Sequence, residues 1–131
     1  MKRDIINPWT WQEALGFVHA NKVSAANSTL YVSGQTASAS NGECLHPGDM
    51  QGQIDQTLNN IATILEQAAM DFTHVVRLNI YTTDLPALLG CHDHMVQRLQ
   101  QRGCRHAGTL LGITALAAPG ALVEIEVTAA N

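Results

Sequence analysis

Two glutamates lie one residue apart in the run Val123-Glu124-Ile125-Glu126-Val127. In a strand, side chains alternate between faces, so the valines and isoleucine share one face and Glu124 and Glu126 share the other. A carboxylate on such a face can act as a general base or orient a water, if the face borders a cleft. A solvated strand face accounts for the same pattern. His92 falls on an apolar stripe with Leu88, Met95 and Leu99. It is either a hydrogen-bonded core histidine or a proton donor facing a cleft. Ser33-Gly34-Gln35 closes an apolar run and reads as a turn or a polar binding segment. The pairs Cys44-x-His46, Cys91-His92-x-His94 and Cys104-x-His106 suggest a metal site. On a helix, however, His92 and His94 point about 200° apart, and the spacing matches no structural zinc pattern. No metal and no cofactor is expected. GxGxxG, Walker A, HExxH and GxSxG patterns are absent, so nucleotide-binding, metalloprotease and α/β-hydrolase readings have no support.

These residues need elements to hold them. Phe17 to Val23 and Thr29 to Ser33 read as two short strands around the turn Ala25-Ala26-Asn27-Ser28. Asp49 is a natural N-cap, followed by Ile54, Leu58, Ile61, Leu65 and Ala68 at helical spacing. Gln53, Gln56, Asn60 and Glu66 are assigned to the opposite, polar face of that helix. Thr73 to Thr83 reads as a strand, with Val76, Leu78 and Ile80 on one face and Arg77, Asn79 and Tyr81 on the other. Asp84 caps a second helix that begins with Pro86 in its first turn and ends at Gly103. Thr109 to Leu116 and Leu122 to Ala129 complete the order β-β-α-β-α-β-β. Two helices cover one face of such a sheet and leave the face with Glu124 and Glu126 bare. Carboxylates there need water, a partner or a pocket.

The chain has 131 residues, 46% apolar and 14% charged. That is the size of one domain, residues 1–131, and the opposite of a disordered composition. Eleven acidic against seven basic residues give a net charge of −4, which argues against a nucleic-acid partner. The charge fraction is low against an ordinary value of about 25%, as expected if other subunits bury part of the surface. The longest strongly apolar stretch, Ala115 to Val123, is far short of the ~20 residues of a membrane span. No secretory signal is expected from the charged start Lys2-Arg3-Asp4. Three cysteines without a C-x-x-C suit a reducing cytoplasm.

Several segments together resemble one family. Tyr31-Val32-Ser33-Gly34-Gln35-Thr36-Ala37 is similar to its V-S-G-Q segment. The helix from Asp49 with Gln56, Leu58, Asn59 and Leu65 is similar to its first helix, and Val75-Val76-Arg77-Leu78-Asn79-Ile80-Tyr81 to its central strand. Leu116 to Glu126 resembles the C-terminal L-x-x-P-G-x-L-V-E-I-E signature almost letter for letter. This is the YjgF/RidA family of reactive intermediate deaminases, often labelled endoribonuclease L-PSP. The resemblance implies a chorismate-mutase-like α+β fold, with two helices on one face of the sheet. It further implies a homotrimer whose three sheets form a central barrel, with clefts between subunits. Active members hydrolyse enamines or imines such as 2-aminoacrylate. There an Arg holds the substrate carboxylate and a Glu positions water. The Glu corresponds to Glu124, the Arg to Gly108, a cleft Tyr to Phe17, a helix Asn to His92 and a strand Ser to Ser33; Leu110 borders the same cleft. An Arg fork grips a carboxylate in a way no neutral group reproduces. Arg105 lies three residues upstream and, with strand alternation, need not point into the same pocket.

Two functions are expected from these residues. The first is a trimeric enzyme that hydrolyses an imine, enamine or related metabolite in the inter-subunit cleft, with little or no standard 2-aminoacrylate deaminase activity. The second is a non-catalytic trimer that binds a metabolite or a partner. A ribonuclease is a poor fit to an acidic chain without a His/Lys constellation. A chorismate mutase is disfavoured too, because its dianionic substrate needs more than one cationic contact.

Overall fold

A computed structural model describes residues 1–131. Six strands and three helices run in the order β1 (Lys2–Ile6), β2 (Ala20–Ser24), β3 (Thr29–Gln35), α1 (Met50–Gln67), β4 (Val75–Thr82), α2 (Leu85–Gly90), α3 (His92–Gln101), β5 (Leu110–Gly112) and β6 (Val123–Ala130). The main sheet has the order β3-β6-β4-β5, with β5 parallel to β4 and the other pairs antiparallel. The helices pack on one face of it, an α+β arrangement. β1 and β2 form a separate antiparallel hairpin. It is joined to the sheet by Asn21, whose Nδ2 donates to the carbonyls of Val76 and Arg105 at 2.8 and 2.9 Å.

α1 follows from its sequence. The Asp49 carboxylate accepts from the Gly52 amide at 2.9 Å, satisfying a donor the helix leaves free. Ile54, Leu58, Ile61 and Leu65 are each fully buried. They meet Val123, Ile125 and Val127 of β6 and Leu78 and Ile80 of β4 in one core. Each such side chain contributes about 2 kcal/mol of hydrophobic burial.

Five expectations are corrected. First, Gln53 is not on the polar face of α1 but fully buried. Its Nε2 donates to the carbonyls of Gly120 and His46, and its Oε1 accepts from the Leu122 amide at 2.8 Å. This side chain pins the loop that delivers β6. Second, the expected second helix is two, broken at Cys91, so three helices rather than two cover the sheet. Third, Val76 is only half-buried: the β4–β6 register shifts between Val75 and Arg77, and Val75 takes the core position. Such a bulge breaks the period of two. Fourth, the strand expected over Thr109 to Leu116 is regular only at Leu110–Gly112. Fifth, the N-terminal residues form β1, and β2 starts at Ala20 rather than Phe17. Leu122 to Ala129 and Thr29 to Ser33 agree with β6 and β3 within one or two residues. No helix is long and apolar enough to cross a membrane.

Candidate functional site

On the helix side of the sheet, between α3, β4 and the segment that leads into β5, lies a cavity of about 560 Å³. α2 ends at its edge, contributing Leu89. The loop carrying Leu15 and Phe17 forms another wall, tied down where the Val18 amide donates to the His106 carbonyl at 2.9 Å. Gly16 supports that loop. Its φ of 77° favours glycine, and a Cβ there would press on Val96 of α3.

Phe17, His92, Gly108 and Leu110, four of the residues singled out in the sequence, line this one cavity. His92 reaches it from the first turn of α3. The remaining wall is largely aliphatic, and no Lys or Arg contributes to it; Asp93 is the one formally charged residue.

Gly108 has a structural reason of its own. The Ala107 amide donates to the Val76 carbonyl, and the Leu78 and Ile80 amides donate to the carbonyls of Ala107 and Thr109. That pairing sets Gly108 so close to β4 that any Cβ would collide with the Leu78 carbonyl oxygen. Backbone, unlike a side-chain tip, cannot give way cheaply. Arg105 is exposed and is not part of the cavity wall; its carbonyl is held by Asn21.

Glu124 and Ser33 lie elsewhere. Glu124 pairs with Tyr81 across the β6–β4 ladder, on the face of the sheet away from the helices. Its carboxylate covers Gly34, where a Cβ would meet it. Ser33 and Gly34 are exposed in β3, where the ladder to β6 shifts register between Val32 and Gln35. Glu124 and His92 therefore do not meet in one copy of the chain: the sheet stands between them.

The neighbouring carboxylate, Glu126, is bound. Asn79 Nδ2 donates to it at 3.0 Å and the Tyr81 hydroxyl at 2.6 Å. These bonds hold its carboxyl below the usual carboxylate range and raise the tyrosine. Glu126 and Asn79, together with Tyr31, Arg77 and Thr128, line a polar depression.

His106 was not singled out from sequence beyond its Cys104-x-His106 spacing. It is buried, lines the cavity, and sits with Nδ1 3.7 Å from the Cys104 sulfur. Burial pushes the imidazole down to about 4 and the Cys104 thiol up to about 12, the latter partly offset by Arg3. Both are therefore neutral at pH 7, the reverse of a thiolate–imidazolium nucleophile. The only sequence signal was a histidine beside an expected strand, which no periodicity distinguishes from a surface residue. No three His, Cys, Asp or Glu side chains converge in a metal-binding arrangement.

Comparison with known proteins places these features. The family model described as Endoribonuclease L-PSP matches residues 12–131. A crystal structure of a protein of unknown function of the conserved Rid protein family, YyfB from Yersinia pestis, superposes with a TM-score of 0.88 at 34% identity, covering 100% of both chains. RidA from the Antarctic bacterium Psychrobacter sp. superposes with a TM-score of 0.68 at 27% identity over 87% of each chain. Among curated proteins, the 2-iminobutanoate/2-iminopropanoate deaminase of Rattus norvegicus is 37% identical over 57 residues, 44% of this chain and 42% of that one. Its counterpart in Capra hircus is 33% identical over 72 residues, 55% of this chain and 53% of that one. The match thus spans about half the length of those deaminases. With the family model matching nearly the whole chain and a Rid-family structure superposing on all of it, the protein belongs to the endoribonuclease L-PSP family, the Rid/YjgF group.

Proposed function

We propose that the protein is a RidA-like homotrimer that hydrolyses an imine, enamine or related metabolite at a site shared between subunits, and that it is not a standard 2-aminoacrylate deaminase. The observation that carries this reading is the helix-side cavity, lined by Phe17, His92 and Leu110 and free of Lys and Arg. A substrate carboxylate would find no guanidinium there, and Gly108 leaves no room for a side chain to supply one. The names of the relatives support imine chemistry at the level of the family.

The trimer supplies what one copy lacks. The face away from the helices exposes Tyr31 and carries Arg77, Asn79, Tyr81, Glu124 and Glu126. In a barrel of three sheets, Glu124 and Ser33 of one subunit would border the cavity of the next. Glu124 would orient a water toward the C=N carbon, and His92 would pass a proton to the departing nitrogen. Addition of water forms a carbinolamine, whose collapse leaves a carbonyl and releases ammonia or an amine. The chain needs no cofactor for this and acts as a single family domain. Its three free cysteines suit a reducing compartment, and we place it in the cytoplasm, although the relative mmf2 of Schizosaccharomyces pombe is mitochondrial by name.

One observation favours a second reading, a non-catalytic metabolite-binding or partner-binding trimer: in one copy Glu124 and His92 stand on opposite sides of the sheet. A panel of imines, enamines and carbamates, assayed with wild type and Glu124→Ala, separates the two. The hydrolase reading expects turnover of one class with at least about a hundredfold loss in the variant, in keeping with a general base. No turnover of any class would leave the binding protein, and equal turnover in both proteins would remove Glu124 from the reaction. Light scattering tests the assembly, and a monomer mass at micromolar concentration would overturn it.

A further inference from the structure

We propose that His106 is the polar anchor of the helix-side cavity, its Nε2–H donating a hydrogen bond to the nitrogen or carbonyl oxygen of a carboxylate-free substrate whose hydrocarbon or aryl body fills the rest. This rests on the cavity being the substrate site, as proposed above, and adds both the substrate class and the residue that reads it.

The geometry is specific to this side chain. His106 is only 7% exposed, yet it lines the cavity. Its Nε2 makes no hydrogen bond within the chain. The sealed, partnerless polar atoms belong to Arg3, Gln12, His19, Asn21 and Thr57, so this nitrogen opens onto the cavity. A nitrogen with access to the cavity is completed there by water or by a ligand atom. The ring is held from behind, by the Cys104 sulfur at Nδ1 and by the Val18 amide on its carbonyl.

We assign His106 the Nε2–H tautomer, one of the two that its Nδ1–sulfur contact accommodates. Cys104 is a protonated thiol at neutral pH, and its S–H can donate to Nδ1. The imidazole proton then sits on Nε2, facing the cavity as a donor. A neutral donor matches an imine nitrogen, a carbonyl or an amide oxygen.

The rest of the cavity selects by exclusion. Leu15, Phe17, Leu89, Val96 and Leu110 present hydrocarbon. A carboxylate drawn in among them would lose its hydration with no cation to compensate, and Asp93 at the wall would repel it. A volume of about 560 Å³ suits a ligand well beyond three carbons.

The test uses the whole protein at pH 7.5 with two isosteric probes, phenylacetamide and phenylacetate, followed through the His106 ring signals by NMR. Phenylacetamide is expected to bind and shift those signals, with phenylacetate at least about tenfold weaker. His106→Phe should weaken phenylacetamide about tenfold, while His106→Gln, which keeps an N–H donor, should stay within about threefold. Equal or tighter phenylacetate binding, saturation without a His106 shift, full affinity in His106→Phe, or no binding of either probe would each overturn the inference. The wild-type shift does not depend on any variant folding. Turnover is not read, so amide binding through His106 stands even if the Glu124→Ala panel rejects hydrolysis.

Discussion

Strands β4 and β6 carry different chemistry on their two faces. Toward the helices, Leu78, Ile80, Val123, Ile125 and Val127 are buried, and the cavity beside them contains two histidines and no Lys or Arg. On the other face, Arg77, Asn79, Tyr81, Glu124 and Glu126 form a polar surface in which Glu126 is already satisfied by two hydrogen bonds. The first face is organised by exclusion of water, so small changes in volume or charge there are felt strongly. The second stays solvated in one copy, so its bonds contribute little until another surface covers it. Stability and selectivity therefore belong to the first face, and the proposed assembly would use the second.

The strongest way to break the comparison is at Gly108. Gly108→Arg forces a Cβ into the Leu78 carbonyl and should lower unfolding free energy by about 4 kcal/mol or abolish folding, read as a shift of the urea midpoint. A stable variant that hydrolyses 2-aminoacrylate would mean that the strand yields and the cavity can be converted. Next comes Gln53→Ala, which strands two carbonyls and one amide in the interior. A loss of about 3 kcal/mol is expected; a loss below 1 kcal/mol would show that the loop before β6 is held by other means.

The pH dependence sharpens the contrast further. His106 has a folded pKa of about 4 against an ordinary 6.5, so the unfolded chain binds the extra proton between those values. Stability is therefore complete above about pH 6.5 and falls as the pH drops toward 4, by about 3 kcal/mol. His106→Phe should flatten that limb, measured as wild type minus variant. The depressed Glu126 and Asp71 carboxyls act in the same direction at lower pH, in both proteins alike. The smallest effect is expected at Tyr81→Phe, which removes one solvated bond to Glu126 and should cost about 0.5 kcal/mol. A larger loss that grows on dilution is what the proposed trimer adds, and sedimentation of the variant would show it.

What could be read from the residues alone was whatever depends on local periodicity. Asp49 and the spacing from Ile54 to Leu65 define α1. The alternation from Val123 to Val127 defines β6 and sends Glu124 to the face away from the helices. The ordered motifs from Tyr31 to Glu126 indicated the family. What the tertiary structure decided has no periodic signature. Edge strand β1, Lys-Arg-Asp-Ile-Ile, pairs with β2 though it carries no alternation. A bulge swaps Val76 for Val75, and Gln53 turns inward because unpaired carbonyls 67 residues away and nearer need its amide. The candidate site divides in the same way. Phe17, His92, Gly108 and Leu110 gather in one cavity because the Phe17 loop, α3 and the β5 approach fold over the same side of β4. Glu124 stays across the sheet, since alternation fixes direction but not distance. His106 stood out only after folding, for burial and an open nitrogen are properties of the packed chain and not of the letter H.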